Sequence, residues 1–374
     1  MNKIMSAIFL IILMISCKEA TPKDYYSIKG KIKNFNGTIY LIKAVDNKYY
    51  FDNFIKDSAI VINGKFEFRL SNKINYPLPF YIETDKTRSF RFLLEPKDQQ
   101  IIIDSLYYNF SPKIICKNST VPAESLLLEK RDSIALEEFK TEFKKIQISN
   151  FPKDSIEKFA IKAREKLTFK TNLNLTEFAR DYPNSFVPFW EIVLKTSYNG
   201  YYVELENAFN NLSDSIKQTK VSSIFIETLL TAKTLQNGSF FPEMKLKDKN
   251  LEEFVFRVNE NLSVNYILVD FWFSYCSPCI AQFPKLNEFH SKYDSKQLKI
   301  ISISTDKTKD IDNWYKVLEQ KDINWFNLLD ENGVESSNLG INTFPTNYLL
   351  NNNGIILRKD ISLIELEQLL KNLK

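Results

Sequence analysis

Tyr266-Ile267-Leu268-Val269-Asp270-Phe271-Trp272-Phe273-Ser274-Tyr275-Cys276-Ser277-Pro278-Cys279 is the stretch that decides how this chain is read. An apolar run of strand length leads into a Cys-x-x-Cys pair, and the pattern then turns helical. A Cys-x-x-Cys directly after a buried-type strand and before a helix is the layout of a thiol–disulfide redox centre. With Cys276 capping a helix that runs on through Phe289, its sulfur faces unpaired backbone N–H groups and the positive end of the helix dipole. Both favour the thiolate, so Cys276 is the expected nucleophile. Cys279, one turn on, is placed to attack a mixed disulfide on Cys276 and release the product. Pro278 falls in the first turn, where its missing N–H costs little. Pro284 reads as an interior proline that kinks a helix spanning Cys276–Tyr293.

Four other readings compete. A structural disulfide across so short a loop would stabilise little. A zinc site needs four ligands, and the chain offers one histidine, His290, and two further cysteines. Chance spacing is countered by the flanking strand and prolines. A peroxidatic cysteine has no need of Cys279.

The same residues resemble a thioredoxin-family active site. Val269 to Cys279, with Pro284 five residues beyond the second cysteine, carries the first part of the likeness. Phe344-Pro345-Thr346, opening a new strand, is similar to the family's cis-proline loop. The subgroup is that of the membrane-tethered, periplasm-facing TlpA/ResA-like proteins, and the resemblance covers about residues 240–374. It implies that Cys276 attacks, that Cys279 resolves, and that the two form the redox disulfide. It implies further that Pro345 is cis and faces the disulfide, leaving the backbone of Phe344 free to pair with a substrate strand. Trp272 and Thr346 fall with these two on the expected substrate side. Asp270 lies where thioredoxin keeps a buried carboxylate that moves the proton of the resolving thiol. Many ResA-like members carry Glu three residues after the second cysteine; this chain has Gln282, which cannot exchange protons and weakens any inference toward cytochrome c maturation.

Asp270 also stands out unaided. A carboxylate inside Ile267–Trp272 is expensive to bury unless neutral or paired, and a raised pKa would suit a general base near neutrality. The plainer reading is a strand-end aspartate exposed near the turn.

Residues 1–16 read as a signal peptide, with Lys3 as the basic end and an apolar core from Ile4 to Ile15 too short to span a bilayer comfortably. Leu13-Met14-Ile15-Ser16-Cys17 resembles a bacterial lipobox, which would make Cys17 a lipidated N-terminus. The alternative is an ordinary signal peptide that happens to precede a cysteine. Export suits the redox reading, because disulfides persist outside the cytoplasm. The expected location is the cell envelope, with a lipid anchor. Of the four cysteines, Cys116 is left over and is expected to be a small buried side chain. The formal charge of +4 is slight for 374 residues and carries no basic stripe, so nucleic acid is not an expected partner.

Residues 25–116 read as a small β-sandwich or barrel, similar to the uncharacterised β-domain often fused ahead of TlpA-like domains. Asn36-Gly37 and Asn63-Gly64 each separate apolar alternations and predict hairpins. Residues 122–236 read as helices. Ile156, Phe159, Ala160, Ala163 and Leu167 recur at helical spacing, and Tyr182-Pro183-Asn184-Ser185 ends one helix and caps the next. The aromatics Phe186, Phe189, Trp190, Tyr198, Tyr201 and Tyr202 suit either a binding groove or, more commonly, core and interdomain packing. From residue 240 strands and helices alternate in thioredoxin order, an α/β sandwich, with Asn353-Gly354 turning the last hairpin.

The leading expectation is a lipid-anchored thiol–disulfide oxidoreductase acting on thiols and disulfides of exported proteins. It would need no metal or other cofactor, and as a reductase it would draw on a membrane electron donor. Two alternatives stand beside it. One is an envelope lipoprotein whose β and helical parts bind a partner, the redox domain being accessory. The other is a peroxiredoxin-like peroxidase.

Overall fold

The computed structural model describes residues 24–51, 54–107, 109–149, 151–258, 264–293 and 296–372. Residues 1–16, read above as a signal peptide, and Cys17 lie outside the described residues.

The N-terminal region holds β1 (Tyr25–Ile32), β2 (Gly37–Lys43), β3 (Phe54–Lys56), β4 (Ser58–Val61), β5 (Lys65–Ser71), β6 (Leu78–Glu83), β7 (Phe92–Leu94), β8 (Gln99–Ile103) and β9 (Lys113–Ile115). Among the described residues they form a five-stranded sheet, β3-β5-β1-β8-β9, and a four-stranded sheet, β4-β2-β6-β7. Apolar alternation drives the packing: Phe66, Phe68 and Leu70 of β5 turn inward while Lys65 is exposed. The two early Asn-Gly pairs do not make the expected hairpins. β1 and β2 belong to different sheets, and so do β4 and β5. Asn63 and Gly64 do form a tight turn, with φ of 51° and 70°, closed by reciprocal bonds between Ile62 and Lys65 of 3.0 Å. The strands then diverge at once, because each buries its apolar face in a separate layer. A Cβ at Gly64 would meet the Ile32 carbonyl oxygen at 2.7 Å, so glycine is required there for space as well as for φ.

The middle region is helical: α1 (Val121–Gln147), α2 (Lys153–Asp181), α3 (Phe186–Asn199), α4 (Val203–Asn210), α5 (Asp214–Lys217) and α6 (Lys220–Thr234). Ser185 caps α3, its hydroxyl accepting from the Val187 N–H at 3.1 Å. The helices and the β layers share one core. Ile28, Phe80 and Ile101 from the strands join Phe178, Phe189, Trp190 and Phe225 from the helices in a single buried cluster. Trp190 Nε1 donates to the Pro77 carbonyl at 2.7 Å, and Arg91 pairs with Glu191. The aromatic run therefore divides. Phe189 and Trp190 are core, whereas Tyr198 and Tyr202 remain exposed.

The C-terminal region contains β10 (Met244–Lys247), β11 (Glu253–Phe256), β12 (Tyr266–Trp272), α7 (Ser277–Ile280), α8 (Phe283–Lys292), β13 (Leu298–Ser304), α9 (Ile311–Gln320), β14 (Phe326–Leu329), α10 (Val334–Asn338), β15 (Thr346–Asn351), β16 (Ile356–Lys359) and α11 (Leu363–Lys371). The sheet order is β11-β10-β14-β13-β12-β15-β16, with β12 central, parallel to β13 and antiparallel to β15. Strand period 2 divides β12 between the sheet's faces. Leu268 and Trp272 pack with Leu286 and Phe289 of α8, Trp314 of α9 and Leu366 of α11. Ile267, Val269 and Phe271 pack on the other face with Phe241, Phe256 and Ile341. The Asn353-Gly354 turn does close a hairpin, β15–β16. The fold is thus a thioredoxin-like α/β domain preceded by a mostly β region and a helical region. Among the described residues no helix is long and apolar enough to cross a membrane.

One helix differs from expectation. Instead of a single kinked helix from Cys276 to Tyr293, the chain forms two, broken at Ala281 and Gln282. Pro284 consequently lies in the first turn of α8. In an unbroken helix its ring would strike the carbonyl of Ile280, and its missing N–H would leave that carbonyl unpaired.

Candidate active site

Cys276 sits where β12 and its loop meet α7. The two sulfurs are joined in a disulfide of 1.98 Å. Cys276 is the N-cap of α7, and its Sγ accepts from the Cys279 N–H at 3.3 Å. Cys276 is 4 % exposed and Cys279 1 %. Because α7 is only four residues long, the macrodipole is small. Stabilisation of a Cys276 thiolate would come from the local N–H instead.

The loop carrying Cys276 is anchored by a residue the sequence reading missed. Asp306 is buried just beyond β13. Its carboxylate accepts from the Ser274 N–H at 2.9 and 3.1 Å, from the Ser274 hydroxyl at 2.6 Å and from the Ser304 hydroxyl at 2.5 Å. Charge-assisted bonds of this kind satisfy a buried carboxylate and fix the backbone two residues before the nucleophile. In sequence Ser-Thr-Asp-Lys looks like any polar loop. The one usable signal was an aspartate directly after an apolar strand that runs parallel to the strand bearing the cysteines.

Asp270 is buried in β12, on the face shared with Leu268 and Trp272, beneath the helices that follow the cysteines. Burial pushes its carboxyl up to about 7. It is not the exposed strand-end residue of the plainer reading. Directly across on β15 lies Asn347, whose amide oxygen is buried without a hydrogen-bond partner.

Phe344–Pro345 is a cis peptide. Both residues are half-buried, and the Phe344 ring meets that of Phe273 edge-on at 5.5 Å. Two expected substrate contacts are not at the surface. Trp272 has 0 % exposure and packs against Phe283 at 4.9 Å; its position on the inward face of β12 puts it in the core. Thr346 is also buried, and its hydroxyl donates to the Thr343 carbonyl at 2.8 Å. The exposed aromatic beside the disulfide is Tyr275, at 64 %. Its place immediately before the first cysteine was the available clue. Cys116 is half-exposed rather than buried, and burial together with the neighbouring Glu95 carboxylate pushes its thiol up to about 11.

Residues 264–356 match the family described as Thioredoxin-like. The thiol-disulfide oxidoreductase ResA of Bacillus thuringiensis subsp. konkukian (strain 97-27) is 27% identical over 135 residues, 34% of this chain and 76% of the relative. The C-terminal domain is thioredoxin-like, with thiol–disulfide oxidoreductases among its relatives. Another relative is the sporulation thiol-disulfide oxidoreductase A of Bacillus subtilis (strain 168), 26% identical over 106 residues, 27% of this chain and 62% of the relative. A solved thiol-disulfide oxidoreductase from Bacteroides fragilis NCTC 9343 shares 27% identity, covering 37% of this chain and 100% of that one, with a TM-score of 0.32. Ahead of this oxidoreductase domain, residues 26–114 match a domain of unknown function, DUF4369.

Proposed function

We propose that this oxidoreductase is held to the cell envelope by a lipid on Cys17 and reduces disulfides of exported proteins. Cys276 attacks the client disulfide, Cys279 resolves the mixed disulfide, and Asp270 takes the proton of the Cys279 thiol. The observation that carries the reading is the Cys276–Cys279 disulfide at the start of a helix, with Sγ of Cys276 already accepting a backbone N–H. Such a donor favours the thiolate form once the pair is reduced. Phe344, Pro345 and the exposed Tyr275 would form the surface that meets the client. Electrons would come from a membrane dithiol donor. Support for the envelope location comes from the apolar segment Ile4–Ile15 and the lipobox-like run ending at Cys17.

The test is reduction of insulin disulfides by the purified chain with dithiothreitol, alongside a Cys279→Ala variant expressed in cells. The wild type is expected to turn over, and the variant to accumulate mixed disulfides with envelope proteins. Failure of both would remove the assignment. Labelling with a radioactive fatty acid, lost on Cys17→Ser, checks the anchor.

A further inference from the structure

A cleft of about 960 Å³ lies where the three parts of the chain meet. The thioredoxin-like domain contributes Asn342 and Thr343, next to Phe344–Pro345, and the end of β16 at Arg358 and Lys359. Lys359 pairs with Tyr348 near the start of β15, and the start of β15 lies opposite the end of β12. These lining residues therefore lie toward the same end of the sheet as the disulfide. The opposite wall comes from α2, from the end of α3 and the residues after it, and from the segment after β2, including Lys48, Arg164, Tyr198 and Tyr202.

The cleft lining carries five Lys and Arg side chains and four carboxylates, a surplus of one positive charge. Its carboxylates are engaged. Glu165 and Glu365 pair with Arg358 at 3.9 and 3.2 Å. Asp46 accepts from the Lys48 N–H at 2.9 Å, and Asp360 from the Asn347 N–H at 3.2 Å. Two of these cations, Lys48 and Arg164, form no ion pair among the described residues. Lys48 Nζ donates to the Thr228 hydroxyl at 2.9 Å and Arg164 stacks over Phe143 at 6.0 Å, whereas Lys359 feels the charge of the neighbouring Asp360 carboxylate. Surplus positive charge between protein walls attracts anions more strongly than the same charge on an open surface. The exposed tyrosines Tyr198 and Tyr202 add flat contact area with a polar edge.

We propose that this cleft is the client groove of the redox site, and that it takes an acidic polypeptide segment flanking the client cysteine. This rests on the reading that the Cys276–Cys279 pair exchanges disulfides with proteins, and it gives the β and helical regions a part in choosing them. The chemistry is ordinary exchange. In the enzyme, once reduced by a dithiol such as dithiothreitol, the Cys276 thiolate attacks one client sulfur. The client S–S bond breaks, and its other sulfur leaves as a thiolate. The deprotonated Cys279 then attacks Sγ of Cys276, the mixed bond breaks, and the second client thiolate leaves and is protonated. The client gains two electrons and the enzyme pair loses them. The groove acts by holding the segment beside the client cysteine, before the first attack.

The experiment compares two disulfide-linked peptide dimers of equal length, one with Glu and Asp around the cysteine and one with Lys in their place. The full chain is reduced, desalted and mixed with each, and oxidation of the enzyme is followed in a single turnover. The acidic probe is expected to react about tenfold faster at low salt, since each exposed ion pair contributes up to about 1 kcal/mol. That advantage is expected to vanish near about 0.5 M salt. Arg164→Glu and Lys359→Glu are each expected to lower the acidic-to-basic rate ratio by about fivefold. Arg164 is exposed on α2, so its variant decides the question even if Lys359→Glu folds poorly. Equal rates for the two probes in the wild type, or a preference that neither substitution alters, overturns the groove. Failure to reduce either probe or a small aromatic disulfide would instead remove the redox reading beneath it.

Discussion

Asp270→Asn separates the folding role of the buried carboxyl from its proposed chemistry. Asp270 is 3 % exposed, and burial moves its carboxyl from 3.8 to about 7. The folded pKa lies above the unfolded one, so the folded state holds the proton more tightly. Stability then falls as pH rises between the two values and levels off above the higher. The full displacement corresponds to roughly 4 kcal/mol, and relaxation around the charge brings the expected figure to roughly 2–4 kcal/mol. An amide has no charge to bury. The variant should therefore resemble the wild type or be slightly less stable near about pH 4, and exceed it by roughly 2–4 kcal/mol above about pH 8. Urea denaturation of the oxidised chain is the assay. Cys276 and Cys279 do not titrate in that form, and groups common to both proteins cancel. Tryptophan fluorescence is a suitable signal, since Trp272, Trp314 and Trp325 all lie around the C-terminal sheet. The neutral acid also offers an O–H on the strand next to Asn347, whose buried amide oxygen lacks a donor. Dithiol exchange by the wild type should speed up through about pH 7 as the carboxylate forms, and the variant should lack that rise. A stability difference that stays constant from about pH 4 to about pH 8 would refute the reasoning.

Asp306→Ala removes the acceptor of the Ser274 N–H and of two hydroxyls. It is expected to destabilise the C-terminal domain by about 3 kcal/mol and slow exchange at Cys276, read as a lower Tm and a lower rate; unchanged values would show that the loop holds itself. Tyr275→Ala should change stability by no more than about 0.5 kcal/mol, because the side chain is largely exposed. It should raise KM for a protein disulfide while leaving kcat nearly level. Trp190→Phe leaves the Pro77 carbonyl without its donor and is expected to cost about 1–3 kcal/mol, measured by urea denaturation.

The redox segment was readable because its signals are local. An apolar strand, a Cys-x-x-Cys and a proline in the next turn sit within about twenty residues, and the structure assembles them in that order. Leu298–Ser304 was legible for the same reason, as a short run rich in isoleucine, Ile300, Ile301 and Ile303, bordered by polar residues. What failed depended on partners distant in sequence. Asn63-Gly64 makes a real turn, whereas the bend near Asn36-Gly37 falls at Lys33 and Asn34 and Gly37 opens β2; in both places the layer that each flanking strand joins is set by tertiary burial. Asp306 contacts Ser274 across 32 residues, with nothing in its own neighbourhood to mark it. Trp272 and Thr346 were placed on the substrate side by likeness to a motif. Strand period and the hydroxyl's bond to Thr343 turn both inward.

The common interior of the first two regions bears on how the protein is to be cut for study. The match to DUF4369 ends at residue 114, just before α1, which invites cloning the strands alone. Such a fragment would lose the covering supplied by Phe178, Trp190 and Phe225, and would leave Ile28-side and Phe80-side apolar surface in water. Burying one large side chain is worth roughly 2–3 kcal/mol, so the missing helices amount to more than a typical domain's whole margin of stability. An expression boundary after residue 236 respects the cooperative unit. One at residue 116 would be expected to yield aggregates, and any loss of activity there would say nothing about redox chemistry.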